Sequence, residues 1–330
     1  MQRISTAVST PSRLGPGLVL VVVGTVAALA LHALTASLSA LVVAVVLGVI
    51  IGNSRLATPD TAAGLSFAAR PILRAGVVLL GVRLSLGDVV ALGPVSLGVV
   101  ASTVAITFFG TQALGRRLGL SRDLSLLVAT GYSICGASAI AAVEGATDAE
   151  EEEVAAALGL VAVAGTAAIF VLPWLNGSIG LSDASFGAWA GASIHDVGQV
   201  VAAAGATEAA LSAAVVVKLT RVVLLAPIVA GVNLSRNRTK SDAADTPLLP
   251  LFVVGFLAAI LVRSSGVLTP AAIGFATTVE SVLLTAAMVG LGSAVRIDKL
   301  RRLGPAPLLL GLLAWILVGS VSLAGVLLSS

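Results

Sequence analysis

Three stretches concentrate the residues able to do chemistry. Ser193–Gln199 (SIHDVGQ) places an imidazole, a carboxylate and a carboxamide in otherwise apolar sequence. An aspartate at the centre of a membrane helix costs about 2.5–3.5 kcal/mol on insertion scales, so groups kept there need a use. His195 and Gln199 are four apart and Asp196 and Gln199 three apart, so on a helix all three flank one groove. Histidine titrates near neutral pH and can carry a coupling proton. The plainer alternative is a satisfied polar cluster near an interface. Gly131–Ser138 (GYSICGAS) holds Ser133, Cys135, Gly136 and Ser138. Its glycine pair can let a helix unwind, so that freed N–H groups line a cavity and bind an anion. Tight packing of small residues is the alternative there.

The third stretch, Val215–Pro227, carries Lys218 and Arg221 three apart on one face. Pairing with Asp196 or Glu208 would relieve their desolvation. Otherwise they attract an anion, Arg221 offering a planar fork to a carboxylate, sulfonate or sulfate. Snorkelling to an interface is the alternative, and it suits Lys218 better than Arg221. The candidate substrate ligands are therefore Ser133, Cys135, Gly136, Ser138, Ser193, His195, Gln199 and Arg221. Candidates for coupling or charge pairing are His195, Asp196, Lys218, Arg74 and Glu280, the last a lone carboxylate in a late apolar stretch. With one cysteine and two histidines, His32 and His195, no metal site, disulfide or cofactor is expected.

The elements that position these residues must be membrane helices. Of 330 residues 58% are hydrophobic and 11% charged, and mean hydropathy is +1.09. A soluble domain carries about 25% charged residues, so soluble enzymes, disordered tails and coiled coils are excluded. Aromatics, at 4%, are too few for a barrel with aromatic girdles. At about 20 residues per span, the length suits ten or eleven helices. We expect an all-α integral membrane protein, a single polytopic domain over 1–330. Its parts are an N-terminal segment and first helix (1–34), a first half (35–175), a central broken-helix unit with the following helix (176–233), a loop (234–247) and C-terminal helices (248–330).

Apolar stretches fall at 16–34, 38–52, 61–86, 89–114, 123–143, 153–175, 184–204, 209–233, 248–263, 270–294 and 305–328. Numbering them puts Arg55, the group Arg116, Arg117 and Arg122, the group Arg236, Arg238 and Lys240, and the group Arg296, Lys299, Arg301 and Arg302 on the side of the N-terminus. The positive-inside rule makes that side cytoplasmic and the C-terminus external. The segments 123–143 and 184–204 leave a choice. As full crossings they put the acidic loop Glu144–Glu153 outside and the span count at eleven. As re-entrant segments they put it inside and leave nine spans. The basic loops fit either; we expect broken, full crossings.

Two internal similarities accompany this pattern. Ile72–Pro94 aligns with Leu283–Pro305 at 8 of 23 positions, and Gly131–Ala149 with Gly191–Ala209 at 8 of 19. The first pair runs in opposite directions across the bilayer, and the second does so only if its segments are re-entrant. Inverted repeats are the usual build of secondary transporters.

At Gly131–Ala142 (GYSICGASAIAA), Glu151–Gly159 (EEEVAAALG), Ser193–Ala203 (SIHDVGQVVAA) and Val216–Pro227 (VVKLTRVVLLAP) the chain resembles the YeiH family, also catalogued as UPF0324 and as a sulfate-exporter family. The resemblance runs in order from the second helix to the C-terminus. It implies kinship with cation/proton antiporters and bile-acid symporters, whose substrate sites lie at crossed, broken helices; Leu79–Pro94 is similar to a helix and turn in several of them. Asp196 departs from the family pattern, where a glutamate is expected, keeping the charge on a shorter arm. The expected function is secondary active transport of a small anion by alternating access, coupled to H+ or Na+, in a bacterial inner membrane. A cation/proton antiporter using Asp196 is the nearest alternative. An intramembrane enzyme with Cys135 as nucleophile, or a passive channel, are those of another class. The expected partners are the anion, the coupling ion and the lipid bilayer, with a homo-oligomer compatible and no nucleic acid; no enzymatic role is expected.

Overall fold

The computed structural model describes residues 14–35, 39–84, 86–87, 93–235 and 251–329, and all regular structure among them is helical. In chain order the helices are α1 (Gly15–Thr35), α2 (Ala40–Gly52), α3 (Pro59–Arg83), α4 (Gly93–Arg117), α5 (Arg122–Ser133), α6 (Ala137–Glu144), α7 (Glu151–Ile179), α8 (Asp183–Ser193), α9 (Val197–Ala204), α10 (Glu208–Val223), α11 (Leu225–Ser235), α12 (Leu251–Ser264), α13 (Pro270–Ser293), α14 (Ile297–Arg302) and α15 (Pro305–Ser329). Seven helices, counting α10 with α11 as one, are long and apolar enough to cross a membrane; α2 and α12 are shorter. In α3 the ring of Pro71 removes a donor, and the helix loosens into a π turn over Ala68–Ile72. Most of the loop expected over 234–247 lies outside the described residues.

The chain divides into two compact units. The first comprises residues 1–76 and 279–296. There α2 and α13 pack backbone to backbone: a Cβ on Gly48 would meet the Val289 carbonyl, and one on Gly292 the Val45 carbonyl. Small residues permit such approach where no hydrophobic force drives helices together.

The second unit, residues 77–278 and 297–330, holds the polar residues singled out above, apart from Arg74 and Glu280. Its organisation follows from which residues meet. Ser121, the N-cap of α5, hydrogen-bonds Glu153 in the first turn of α7. About ten residues on, the Tyr132 hydroxyl donates to the Leu160 carbonyl at 3.2 Å, and Gly131 lies against Val161. Thus α5 and α7 start at one level and run the same way. Ile140 of α6 lies against Gly131 of α5, so α6 returns antiparallel. The second segment repeats the arrangement. Gly187 and Gly191 of α8 press on the carbonyls of Ala210 and Ala214 of α10, where a Cβ would come within 2.2 and 2.3 Å. Equal steps on both helices mean parallel neighbours. The eight residues of α9 then retrace about 12 Å, which restores the chain to the start of α10.

Both segments are therefore helical hairpins that fold back, and the expected full crossings are corrected. Loop charge could not reveal this, because the basic residues sit on one side in either arrangement. The Ser121–Glu153 contact shows that the acidic loop shares a face with Arg122. Each hairpin precedes a long helix running parallel to its first arm, α7 in one copy and α10 in the other. The unit thus contains a repeat of hairpin plus span.

Candidate functional site at the meeting of two hairpin tips

The tips of the hairpins are the breaks Ile134–Gly136 and Ile194–Asp196. The alignment of Gly131–Ala149 with Gly191–Ala209 places Ile134 on Ile194, Cys135 on His195 and Gly136 on Asp196, so both breaks occupy equivalent positions. They are built differently. Gly136 takes φ 69°, ψ −126°, a conformation open to glycine, and its N–H reaches back to the Gly131 carbonyl at 3.0 Å. Ile194 and Asp196 are extended. A Cβ on Gly136 would lie 3.6 Å from the His195 carbonyl, so the two backbones pass close to one another.

A helix that stops inside an apolar core leaves its last carbonyls without intrahelical partners. Two helices, α5 and α8, stop here together. Lys218 and Arg221 of α10 supply the donors. The Lys218 ammonium donates to the equivalent carbonyls of Ile134 (2.5 Å) and Ile194 (2.8 Å). Arg221 Nε donates to Ser133 (3.1 Å) and Nη2 to Tyr132 (2.9 Å); Nη1 donates to Ala192 (2.5 Å), Ile194 (3.2 Å) and Gly191 (3.3 Å). Both cations are fully buried and sit on the negative ends of two helix dipoles. They staple one tip to the other.

The return helices begin at the same junction. Asp196 caps α9, its carboxylate accepting from the Gly198 N–H at 2.8 Å, while its own N–H donates to Gln199 Oε1 at 3.1 Å. Gln199 Nε2 reaches the Ala162 carbonyl of α7 at 3.5 Å. The N-cap of α6 is Gly136, which has no side chain to offer; the Cys135 sulfur faces the Ala139 N–H, and Ala137 and Ser138 are exposed. His195 is fully buried with its ring against that of Tyr132, centroids 4.2 Å apart, and neither ring nitrogen meets hydrogen-bond geometry with a partner. A buried polar group left unsatisfied costs about 1–3 kcal/mol.

A family model described as conserved hypothetical protein 698 matches residues 16–311. Among curated proteins, a UPF0324 membrane protein of Corynebacterium glutamicum is 42% identical over 318 residues, covering 95% of this chain and 92% of its own. The chain belongs to the UPF0324 membrane-protein family. UPF0324 membrane proteins of Pseudomonas aeruginosa and Yersinia pestis are 38% and 35% identical, covering 86% and 93% of this chain and 84% and 91% of their own. No solved structure matches the chain.

In this UPF0324 chain, most residues expected to act together do converge, in altered roles. Ser133, Cys135, Gly136, Ser193, His195, Asp196, Gln199, Lys218 and Arg221 all lie at or within a turn of the tips, with Ser138 just beyond on α6. The Ser133 and Ser193 hydroxyls donate back to the carbonyls of Thr130 and Trp189. Lys218 does not snorkel, and Arg221 spends its fork on main-chain carbonyls. Glu208 pairs with Arg83 at 3.2 Å. His195, Asp196 and Gln199 do not share a helical face, because α8 stops at Ser193 and α9 starts at Val197, leaving His195 and Asp196 in the break and Gln199 in the next helix. Arg74, exposed on α3, and Glu280, buried on α13, belong to the first unit. Sequence reasoning missed Tyr132, whose ring and carbonyl both serve the junction, and the Ile134 and Ile194 carbonyls. The internal repeat was the available signal, since it aligns those isoleucines.

Proposed function

We propose that this UPF0324 protein is a secondary active transporter that moves a small anion by alternating access, coupled to a proton or a sodium ion. The reading rests on an asymmetry between equivalent tips. In the second hairpin the Asp196 carboxylate occupies the positive end of α9. The equivalent residue in the first hairpin is Gly136, so the positive end of α6 carries no carboxylate, only the Cys135 sulfur facing the Ala139 N–H. The N–H groups of Ala137 and Ser138 precede any intrahelical acceptor. A carboxylate, sulfonate or sulfate oxygen from outside would there take the place that Asp196 takes in its own hairpin.

Charge and hydrogen bonding support the same guest. Lys218 and Arg221 bring two positive charges to the junction against one carboxylate, Asp196, and Ser138 adds a hydroxyl at the start of α6. The buried His195 imidazole, beside the Tyr132 backbone, offers a group for the anion or the coupling proton. By the positive-inside rule the basic loops face the cytoplasm and the membrane is the bacterial inner membrane.

Purified protein reconstituted in liposomes and loaded with one anion should take up the same radiolabelled anion by counterflow. Sulfate, short sulfonates and small carboxylates form the panel, each run with imposed proton and sodium gradients. Absence of counterflow across that panel refutes the reading. Half-buried Asp196 supports one other reading, a cation/proton antiporter. Sodium-driven proton flux indifferent to every anion would select it.

A further inference from the structure

A groove in the second unit, away from the hairpin tips in its lining, runs between α4, the start of α5, and α10–α11, with a volume of about 680 Å³. Its polar lining gathers at one end, where Arg116 and Arg122 stand exposed beside Gln112. No acidic residue is among its described lining residues. From there it follows α4 past Phe109 to Ala101, with Leu224 and Ile228 opposite. Fifteen residues of α4 separate Arg116 from Ala101, about 22 Å along the helix. One leaflet of a bilayer, headgroups included, is about 20–22 Å thick. The groove thus spans the depth of a single lipid, charged where a headgroup lies and apolar where a chain lies.

Arg122 strengthens the charge argument. It occupies the first turn of α5, the positive end of a helix dipole, where a cation is the disfavoured choice and an anion the favoured one. Asp123, the acid of that turn, is not part of the lining. Basic pockets between membrane helices on the face with basic loops suit anionic headgroups. A free inorganic anion would leave the apolar length unused.

We propose that this groove binds one anionic phospholipid, its phosphate held between Arg116 and Arg122 and an acyl chain laid along α4 towards Ala101. The site is independent of the transport reading. The test uses full-length protein delipidated in detergent and titrated with phosphatidylglycerol, with phosphatidylcholine of the same chains, and with glycerol phosphate. Bound lipid is read by native mass spectrometry and stability by thermal unfolding. Phosphatidylglycerol should bind at least tenfold more tightly than phosphatidylcholine and raise the midpoint, and R116Q/R122Q should lose that preference. Filling the apolar length with A105W should expel the lipid with both arginines intact. Equal retention of phosphatidylcholine, equal stabilisation by glycerol phosphate, or undiminished phosphatidylglycerol binding in R116Q/R122Q each overturns the proposal.

Discussion

Arg221 donates to five main-chain carbonyls on two separate hairpins. Replacing it with alanine leaves Ile194 its bond from Lys218 and strips Tyr132, Ser133, Gly191 and Ala192 of the guanidinium. Each unsatisfied buried carbonyl costs about 1–3 kcal/mol, which sets a range of roughly 4–12 kcal/mol. Entry of water and relaxation of the tips lower this towards the roughly 3–5 kcal/mol typical of removing one member of a buried charged network. We expect about 4 kcal/mol, or a fall of about 8 °C or more in the unfolding midpoint at roughly 2–4 °C per kcal/mol. Cys135, the single cysteine, lies in the first tip and is 5% exposed, so a thiol-reactive fluorophore reports opening of the junction itself. Arg221→Lys, with three donors for five, should fall between wild type and Arg221→Ala. Arg83→Gln breaks the exposed pair with Glu208, a contact of about 0–1 kcal/mol, and serves as the control. If Arg221→Ala unfolds within about 2 °C of wild type and no lower than Arg83→Gln, the stapling argument is wrong.

Three further outcomes follow from the same geometry. His195→Phe keeps a ring against Tyr132 and removes two buried, poorly satisfied nitrogens, so it should leave the unfolding midpoint unchanged or raise it while abolishing anion counterflow; a stable variant with wild-type flux would deny His195 any role in transport. Gly187→Ala drives a methyl to 2.2 Å from the Ala210 carbonyl and should cost about 1–3 kcal/mol, whereas Gly177→Ala, with nothing within 4 Å, should be neutral or stabilise slightly; equal midpoints for the two would contradict the close packing of α8 on α10. In a Cys135→Ser background, membrane-impermeant labelling of D148C should occur from the same side as R117C, and that of S182C and A206C from the opposite side; D148C labelled opposite to R117C would restore a full crossing.

Membrane class, and the position of nearly every helix, were legible in the chain. Each of the eleven apolar stretches coincides with a helix or a hairpin, because helices in lipid must be both long and apolar. The convergence of His195, Asp196, Lys218 and Arg221 was legible too, since polar groups stranded in apolar sequence have few places to go. The repeat even marked both tips, by pairing Ile134–Gly136 with Ile194–Asp196.

What the tertiary structure decided was direction and partnership. Hydropathy reports that a segment is buried in apolar surroundings, and it reads the same whether the chain crosses or turns back. Only paired contacts, Ser121 with Glu153 and Tyr132 with Leu160, Gly187 with Ala210 and Gly191 with Ala214, show which way α5 and α8 run relative to α7 and α10. The partners of Lys218 and Arg221 were hidden for a related reason. They are main-chain carbonyls, which every residue carries, so no choice of side chain at Tyr132, Ile134, Ala192 or Ile194 announces that a buried cation rests on them.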